Sequence, residues 1–302
     1  MSVIIPKNLV KGDLIQIVST ARFVDSEFIR LGIEKLSGYG FKVETGKNLY
    51  KRQGQFAGSD AERLEDINDA IRNPDCRAIL CARGGYGSVR IIDGIDLETL
   101  SRDPKWMAGY SDITAILNHI YTGANLAGLH STMPIDFHKN SIESLDTLVS
   151  ALSGNELSYL ASDHLFNREG SAEGEMIGGN LSMLYSLLGS PSQINTDGKI
   201  LFLEDLDEYL YHIDRMMMAL KRSGMLTNLT GLIIGGMTDM NDNKIPFGKT
   251  ADEIIHEHVA DFDFPVCFNF PSGHRDDNRT WIHGKKIRLT VKNDQPSEII
   301  SP

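Results

Sequence analysis

The sequence predicts a two-domain α/β protein, with a parallel sheet in its first half and a mixed sheet in its second half. Three observations predict this fold. The 302 residues exceed the ~100–150 residues of a typical domain, so two domains are expected. In the first half, short apolar runs alternate with amphipathic helices, as in parallel strands joined by crossover helices. In the second half, strand-like segments recur toward the end, which indicates antiparallel pairing.

The elements of the first half follow from apolar runs for the strands and from helical periodicity for the helices. The clearest helix begins at Ser59, because Ser59 and Glu62 have the spacing of a capping box and apolar residues then recur with a helical period. The first half is predicted to contain strands at 14–18, 42–44, 78–81 and 106–110, and helices at 26–37, 59–73, 113–121 and 140–153.

A polar stretch at 154–175, rich in Ser, Asn, Asp and Glu, predicts a linker between the domains. The predicted domains are therefore 1–153 and 176–302. In the second domain, Thr250 and Glu253 form another capping-box pattern. The predicted elements there are a helix opened by Gly178-Gly179-Asn180, strands at 200–203, 232–234, 265–268 and 286–291, and helices at 209–223 and 250–260.

The charge balance and the apolar pattern argue against two classes of partner. Acidic residues outnumber basic residues by 41 to 30, the net charge is −11, and no basic run is present. This balance argues against a surface that neutralises nucleic-acid phosphates. No apolar stretch approaches the ~20 residues that span a bilayer, and the first residues lack the pattern of a secretory signal. We expect a protein that binds neither nucleic acid nor membrane.

The three cysteines, Cys76, Cys81 and Cys267, are an odd number and lack the spacing of metal ligands. They are predicted to be reduced core residues, because Cys76 and Cys267 stand at or in apolar, strand-like segments. Reduced cysteines are typical of the cytoplasm. The sequence therefore predicts a cytoplasmic protein that needs neither a metal nor a cofactor.

Ser111 lies between a predicted strand and a predicted helix. In such a turn a serine hydroxyl is raised above the edge of the sheet, and the amides of the helix N-terminus point toward charge that develops beside it. A second interpretation is that Ser111 only caps the helix, since serine is a favoured N-cap. Ile113 stands where the nucleophile turn of α/β-hydrolases has glycine, so we expect the helix to leave this turn differently.

The glycine loop, residues 82–88, follows the predicted strand 78–81 and has three glycines in four positions. It lacks the spacing of a P-loop and of a dinucleotide site, which argues against a phosphate cradle. An oxyanion-hole donor fits better, because this loop and Ser111 should share one edge of a parallel sheet. A plain strand-to-helix turn is the third possibility. Arg83 in this loop is either a clamp for a substrate carboxylate or part of a structural ion pair.

Glu204 and His274 are the other candidate catalytic residues. Glu204 ends the apolar run 200–203, so its carboxylate should emerge at the carboxyl end of a buried strand, although the neighbouring Asp205 is a rival and either could cap a helix. His274 lies in a charged loop after a Pro-Ser-Gly turn, and such loops often carry catalytic groups. In the order Ser, Glu, His, these residues would suffice for acyl transfer without a metal.

Six motifs occur in order along nearly the whole chain. The sequence resembles the serine LD-carboxypeptidases, the family that includes the murein tetrapeptide carboxypeptidases and the microcin C self-immunity peptidases. The motifs that carry this resemblance are ARGGYG at 82–87, GYSDIT at 109–114, GGNL at 178–181, LFLED at 201–205, IDRM at 213–216 and SGH at 272–274.

The resemblance implies a role for each candidate residue. Ser111 would be the nucleophile, His274 the general base and acid, and Glu204 the residue that orients the imidazole. The backbone amides of Gly85 and Asp112 would form the oxyanion hole. It also implies an N-terminal parallel α/β domain similar to class I glutamine amidotransferases, which carries the serine, a C-terminal swivelling β/α domain, which carries Glu and His, and a homodimer.

The implied reaction is hydrolysis of the L,D-peptide bond that releases terminal D-alanine from murein tetrapeptides, so the expected partner is a small muropeptide substrate. Candidates for substrate binding are Arg83, Gly84, Tyr86, Arg275 and Trp281. Neither the third-position diamino acid nor the group that binds the terminal carboxylate follows from the sequence.

Two alternative functions remain open at this point. The first is hydrolysis of acyl-sulfamoyl or aminoacyl-nucleotide amides, in which Trp281 could stack on adenine. Residues 280–284, Thr-Trp-Ile-His-Gly, stand where a Pro-Leu-Gly type of turn is usual, so substrate fit could differ here. The second alternative is a two-domain binding protein that holds an anionic ligand at the glycine loop and breaks no bond.

Overall fold

The chain forms two compact units, each built on its own sheet, in a computed structural model that describes residues 2–301. The first unit comprises the chain up to Asn155 together with Asp276–Gly284. The second comprises Glu156–Arg275 and the chain from Lys285 onward. The predicted two-domain α/β class is confirmed. The first unit is discontinuous, because a short segment from late in the chain belongs to it.

The strands and helices of both units have the following bounds, and in the first half of the chain the two types largely alternate. The strands are β1 (Leu14–Val18), β2 (Lys42–Thr45), β3 (Cys76–Cys81), β4 (Trp106–Gly109), β5 (Gly128–His130), β6 (Leu157–Ala161), β7 (Gly170–Asn180), β8 (Ile200–Leu206), β9 (Gly231–Thr238), β10 (Val266–Cys267), β11 (Trp281–His283), β12 (Lys286–Val291) and β13 (Ser297–Ser301). The helices are α1 (Ser26–Gly38), α2 (Asp60–Arg72), α3 (Leu97–Arg102), α4 (Thr114–Ala124), α5 (Ile142–Leu152), α6 (Leu181–Ser186), α7 (Leu210–Arg222) and α8 (Ala251–His258).

The sheet of the first unit has the strand order β11-β5-β4-β3-β1-β2. Strands β1 to β5 are mutually parallel, and β11 joins the edge antiparallel to β5, with Trp281 opposite His130. Residues in β3, β4 and β5 are nearly all buried, as expected for strands covered by helices on both faces. The loops after β1, β3 and β4 therefore lie at one edge of this sheet.

The sheet of the second unit has the strand order β10-β9-β8-β7-β12-β13-β6. Strands β7 to β10 are parallel, whereas β12, β13 and β6 pair antiparallel. The predicted antiparallel content toward the end of the chain is therefore confirmed. Glu204 lies in β8, in the middle of the parallel half of the sheet.

The stretch 154–175 contains strands where the sequence predicts a linker. Strand β6 and the first half of β7 lie in it. Along β6 buried and exposed residues alternate, with Leu157, Tyr159 and Ala161 buried. The polar composition of the stretch comes from the residues outside β6 and from the exposed residues at the start of β7, and it therefore does not distinguish a connection from strands with one solvated face. The compact unit that includes these strands begins at Glu156.

The local helix signals agree with the structure where capping residues are strong. Ser59 with Glu62, and Thr250 with Glu253, form complete capping boxes. Helix α5 differs slightly from the prediction, because its cap is Ser141, which accepts from the Ser144 amide. No helix within residues 2–301 is long and apolar enough to cross a membrane.

Candidate active site

Ser111 sits in a strained turn between β4 and α4. Its φ is +63°, in the left-handed region that non-glycine residues seldom occupy. A 3-10 turn at Ser111–Ile113 leads into α4. The N-cap residues of this turn and of α4 are Tyr110 and Ile113, so the interpretation of Ser111 as the helix cap gains no support. Backbone strain of this kind clusters at active sites.

Ile113 fits into this turn because Gly109 has no side chain. A Cβ atom on Gly109 would lie 2.9 Å from Cγ1 of Ile113. The bulky residue at 113 therefore occupies space that a glycine two residues before the serine leaves open. The expectation that the helix leaves the turn differently corresponds to the 3-10 turn that precedes α4.

The glycine loop lies directly against Ser111. A Cβ atom on Gly84 would be 3.1 Å from Cβ and 3.3 Å from Oγ of Ser111, and 3.4 Å from the Asp112 amide nitrogen. Gly85 has a φ of +110° and is exposed. The two segments that the sequence predicts to share one sheet edge are thus in contact within the first unit. Backbone amides of the loop can approach Ser111 closely because residue 84 is glycine.

Two buried charged side chains hold the backbone of Gly87 and Ser88. The Asp112 carboxylate accepts from the Gly87 amide at 3.2 Å and from the Ser88 amide at 2.8 Å. The Arg63 guanidinium donates to the Gly87 carbonyl at 2.9 Å and also to the Thr20 carbonyl. Arg63 and Asp112 are both at most 1% exposed. Burial raises the pKa of Asp112, whereas its hydrogen bonds to Ser88 and Gly87 act in the opposite direction.

In the second unit, Glu204 and His274 form a short hydrogen bond. Nδ1 of His274 lies 2.6 Å from Oε2 of Glu204, and the His274 amide donates to the same oxygen at 3.1 Å. The Glu204 side chain is fully buried in β8, and the His274 side chain is 12% exposed. An ionised Glu204 accepts from Nδ1–H, which leaves Nε2 as the proton acceptor.

The loop that carries His274 is shaped by its neighbours. A Cβ atom on Gly273, whose φ is +102°, would lie 2.8 Å from Glu204 side-chain atoms, so glycine is required there. The Thr238 hydroxyl at the end of β9 donates to the His274 carbonyl at 2.6 Å. The imidazole is therefore positioned both by its carboxylate partner and by its own backbone.

Asp205, the rival carboxylate, has a structural role. Its two oxygens accept from the Asn180 side chain at 2.8 Å and from the Ser182 amide at 2.9 Å in the first turn of α6. Burial, followed by the negative charge of Glu204, raises the pKa of Asp205 to about 7. Asp205 thus fixes the GGNL segment against β8, while Glu204 contacts the imidazole.

Comparisons with known proteins also match the chain in two parts. The family model for the LD-carboxypeptidase N-terminal domain matches residues 15–131, and the model for the LD-carboxypeptidase C-terminal domain matches residues 173–289.

The chain belongs to the LD-carboxypeptidase family.

Curated relatives and solved structures match almost the full length. A probable murein peptide carboxypeptidase of Bacillus subtilis is 34% identical over 274 residues, which cover 89% of this chain and 86% of the relative. The crystal structure of muramoyltetrapeptide carboxypeptidase from Oxalobacter formigenes has a TM-score of 0.87 and 26% identity, and covers 96% of this chain and 99% of that chain. The microcin C7 self-immunity protein of Escherichia coli is 26% identical, over 87% of this chain and 85% of the relative.

The LD-carboxypeptidase motifs fall in both units. Ser111, Asp112 and the glycine loop lie in the first unit, and Glu204 and His274 lie in the second. Within the first unit the structure brings Ser111 and the loop together, and within the second it brings the carboxylate and the imidazole together. The roles implied for these five positions remain predictions.

Three of the substrate-binding candidates differ in their burial and contacts. Trp281 is 2% exposed, pairs with β5 and stacks on His130 at 5.1 Å between ring centroids, so its ring is not presented to solvent for stacking on adenine. Tyr86 is 42% exposed, and its ring lies 6.0 Å from that of Phe56. Arg275 is exposed and donates to the Phe270 carbonyl at 3.4 Å.

Sequence reasoning missed two arginines beside the glycine loop, Arg22 and Arg63. Arg63 could have been noticed, since it lies one helical turn before Ile67 on the buried face of α2, where a charged residue needs buried partners. Arg22 carries no sequence signal, because it stands alone in the loop after β1 and approaches Gly85 only through the fold.

Proposed function

We propose that this LD-carboxypeptidase is a serine enzyme that hydrolyses the L,D-peptide bond releasing terminal D-alanine from murein tetrapeptides, as in peptidoglycan recycling. The observation that supports it most strongly is the 2.6 Å contact between His274 Nδ1 and Glu204 Oε2. A buried carboxylate on one imidazole nitrogen prepares the other nitrogen to take a proton. The strained φ of Ser111 and its contact with the glycine loop support the choice of nucleophile.

In the acylation step, Ser111 Oγ attacks the carbonyl carbon of the residue before the terminal D-alanine, and its proton passes to Nε2 of His274. Glu204 stabilises the imidazolium that forms. The amides of Gly85 and Asp112 donate to the oxyanion, and loss of one such donor typically lowers turnover by ~10²–10³. When the tetrahedral intermediate collapses, the imidazolium gives its proton to the D-alanine nitrogen and the peptide bond breaks.

Deacylation repeats the same proton transfers with water. His274 accepts a proton from the attacking water, the new oxyanion forms in the same hole, and Ser111 leaves as its hydroxyl after receiving that proton. The products are the murein tripeptide and D-alanine. The enzyme returns to its starting protonation state, so the cycle consumes only water.

The substrate class is supported by the relatives. The Bacillus subtilis and Oxalobacter formigenes proteins are named as murein peptide and muramoyltetrapeptide carboxypeptidases, and both match nearly the full chain. Stacking of Trp281 on adenine would have favoured the alternative amidase reaction on acyl-sulfamoyl or aminoacyl nucleotides. Since Trp281 is buried, no aromatic residue in that segment supports adenine stacking.

The test of the proposed reaction is release of D-alanine from tetrapeptides that carry diaminopimelate or lysine at the third position. We expect D-alanine from at least one substrate with the unmodified protein and none with Ser111→Ala. Labelling with a fluorophosphonate and peptide mapping should place the adduct on Ser111, and His274→Ala should abolish it. Full recovery of both tetrapeptides would refute the murein reaction, and absence of any adduct would favour a binding protein.

We propose further that the active form is a cytoplasmic homodimer. The compartment is supported by Cys76, Cys81 and Cys267, which are free and buried. The dimer is supported by the family resemblance. Sedimentation equilibrium should give twice the mass of one chain, and a single-chain mass at working concentration would refute the dimer.

A further inference from the structure

Two arginines flank the glycine loop without a carboxylate partner. Arg83 is half-buried and donates through Nη1 to the Phe23 carbonyl at 3.1 Å. Arg22 donates through Nε to the Gln55 side chain at 3.2 Å. Among residues 2–301, no carboxylate oxygen lies within 4.0 Å of a guanidinium nitrogen of either arginine. Other arginines of the first unit do form ion pairs, among them Arg52, Arg63, Arg72, Arg90 and Arg102.

The carboxylates whose charge acts on Arg83 already form other ion pairs. Asp25 and Asp136 attract the Arg83 guanidinium from a distance. Asp25, however, pairs with Arg52, and Asp136 accepts from the Tyr110 hydroxyl at 3.0 Å and pairs with Lys139 at 3.1 Å. A half-buried guanidinium with carbonyl contact but no counterion retains hydrogen-bonding capacity for an anionic ligand.

The two guanidinium groups are close to each other and to the loop that contacts Ser111. Burial lowers the pKa of Arg83, and the positive charge of Arg22 is the next cause. The Arg22 side chain packs over Gly85, where an added Cβ would lie 2.6 Å from its Cδ and 3.0 Å from its Nε. Arg83 is followed by Gly84, which touches the Ser111 side chain. Like charges held together in this way attract a bridging anion.

We propose that Arg83, with Arg22 beside it, binds the terminal carboxylate of the substrate and thereby makes the enzyme a carboxypeptidase. The proposal rests on the proposed function, and it names the part of the substrate that is recognised. Arg83 provides the half-buried, directional contact. Arg22 adds a more exposed positive charge over Gly85. Arg275, the third arginine considered, lies in the second unit and donates to the Phe270 carbonyl, so it is not part of this pair beside the glycine loop.

The test compares two substrates in four proteins. The substrates are a murein tetrapeptide with a free terminal carboxylate and the same peptide ending in D-alaninamide. The proteins are the unmodified enzyme, Arg83→Met, Arg22→Met and the control Arg30→Met. Arg30 is an exposed arginine of α1 that forms no ion pair within the described residues. Because each variant is compared on both substrates, the intrinsic reactivity of the amide cancels.

We expect the unmodified enzyme and Arg30→Met to prefer the free carboxylate equally. In Arg83→Met, kcat/KM for the free acid should fall about 10- to 100-fold, as expected for a lost charge-assisted hydrogen bond, and the amide should change less than about 3-fold. Arg22→Met should reduce the preference about 3- to 10-fold, because its charge is more solvated. Arg83→Lys should restore part of the preference, since lysine keeps the charge and loses the planar fork.

An unchanged preference for the free acid in Arg83→Met would overturn the proposal. If the unmodified enzyme cleaves neither peptide, the proposed function fails, and the carboxylate site is then tested by binding alone. In the Ser111→Ala background, calorimetric binding of the free-acid tetrapeptide should weaken at least about 10-fold on adding Arg83→Met. Equal affinity of the two proteins, with matching thermal unfolding, would reject the site independently of catalysis.

Discussion

Ser111 holds a backbone conformation that a serine adopts at a cost of about 1–3 kcal/mol, and the surrounding turn enforces it. We predict that Ser111→Gly and Ser111→Ala are both inactive but differ in stability. Glycine tolerates φ of +63° without a Cβ clash, so Ser111→Gly should be about 1 kcal/mol more stable than Ser111→Ala in urea unfolding. A glycine variant less stable than the alanine variant would contradict a left-handed conformation at this position.

The hydrogen bond between Glu204 and His274 sets which imidazole nitrogen carries the proton. Replacing one carboxylate oxygen of Glu204 by an amide nitrogen should therefore change the activity. Glu204→Gln can present an amide N–H to Nδ1, which moves the ring proton to Nε2 and removes the base. We expect kcat for D-alanine release to fall about 10³–10⁴-fold, as when a triad acid is replaced by its amide. Thermal unfolding should show that the variant is folded.

Glu175→Gln is the matched control for this substitution. Glu175 is a part-buried glutamate of the same unit that pairs with Lys199 at 2.5 Å, in β7. Its loss should leave kcat unchanged. A Glu204→Gln enzyme within ten-fold of the unmodified rate would remove Glu204 from the proposed mechanism.

At the scale of elements, the glycine loop owes its position to α2 and to the turn after β4. Arg63 holds the Gly87 carbonyl and Asp112 holds the Ser88 amide, so the peptide group that joins Gly87 to Ser88 is fixed from both ends by buried charges. The amide of Asp112 is itself a proposed oxyanion donor. Preorganised donors matter because they need no rearrangement as charge develops.

Loosening this contact should slow the chemistry more than it weakens binding. We predict that Asp112→Asn, which cannot accept from both amides, lowers kcat about 10- to 100-fold with KM within about 3-fold. Arg63→Met should do the same. The double variant should be no slower than the worse single variant, since both act on one peptide group.

Lys105→Met is the control for a buried cation without this role. Lys105 is fully buried at the amino ends of β3 and β4, where it donates to the Cys76 carbonyl and to Asp103. Its loss should lower the melting temperature and leave kcat of the folded enzyme unchanged. An Asp112→Asn enzyme that is only less stable, with normal kcat, would show that the clamp is structural.

Elements with a strong local signal could be predicted from the sequence. Strand β1 and helix α2 are examples, because a continuous apolar run and a capping box at Ser59 are properties of a few adjacent residues. Strands β5, β6, β11 and β13 could not be predicted. Each is at most five residues long and exists because a distant strand pairs with it, as β11 pairs with β5 across more than a hundred residues.

The residues of the candidate site also divide into those with a local sequence signal and those without one. Ser111, Glu204 and His274 could be chosen because each stands where an apolar strand gives way to a polar turn, within a recognisable motif. The burial of Trp281 could not be predicted in this way, since it depends on the pairing of β11 with β5. The contact of Arg22 with Gly85 also arises only in the folded chain, because 63 residues separate them.

At the scale of the whole molecule, the chain leaves the first unit after Asn155 and returns to it at Asp276. The segment Asp276–Gly284 begins two residues after His274 and belongs to the first unit, where β11 completes the sheet beside β5. A fragment that ends at Asn155 therefore lacks one edge strand of the first unit. The unit that carries Ser111 is complete only after the residues of the second unit up to Arg275 have been made.

The two units contain buried groups whose titration affects stability with opposite sign. Full burial, followed by the positive charge of His130, lowers the pKa of His283 in the first unit to about 3. Between pH 6.5 and 3, residue His283 is protonated in the unfolded chain, where its pKa is the usual 6.5, but not in the folded chain. The free energy of unfolding therefore falls as pH drops from 6.5 toward 3. Burial raises the pKa of Asp205 in the second unit to about 7. The folded carboxyl keeps a proton that the unfolded one loses, so stability falls as pH rises from about 4 through 7.

These shifts predict opposite trends for two substitutions that remove titration. Relative to the unmodified protein, His283→Gln should gain stability as pH falls from 6.5 to 4.5, by up to about 1.4 kcal/mol per pH unit. The reason is that glutamine does not titrate, so the unfolded variant binds no extra proton at this position. Asp205→Asn should gain stability as pH rises over the same range, with a similar slope. Calorimetric unfolding at three pH values measures both, and the slope with pH is the result of interest because each substitution also changes contacts at every pH. Parallel slopes for the two variants would show that these two buried groups do not titrate as their surroundings require.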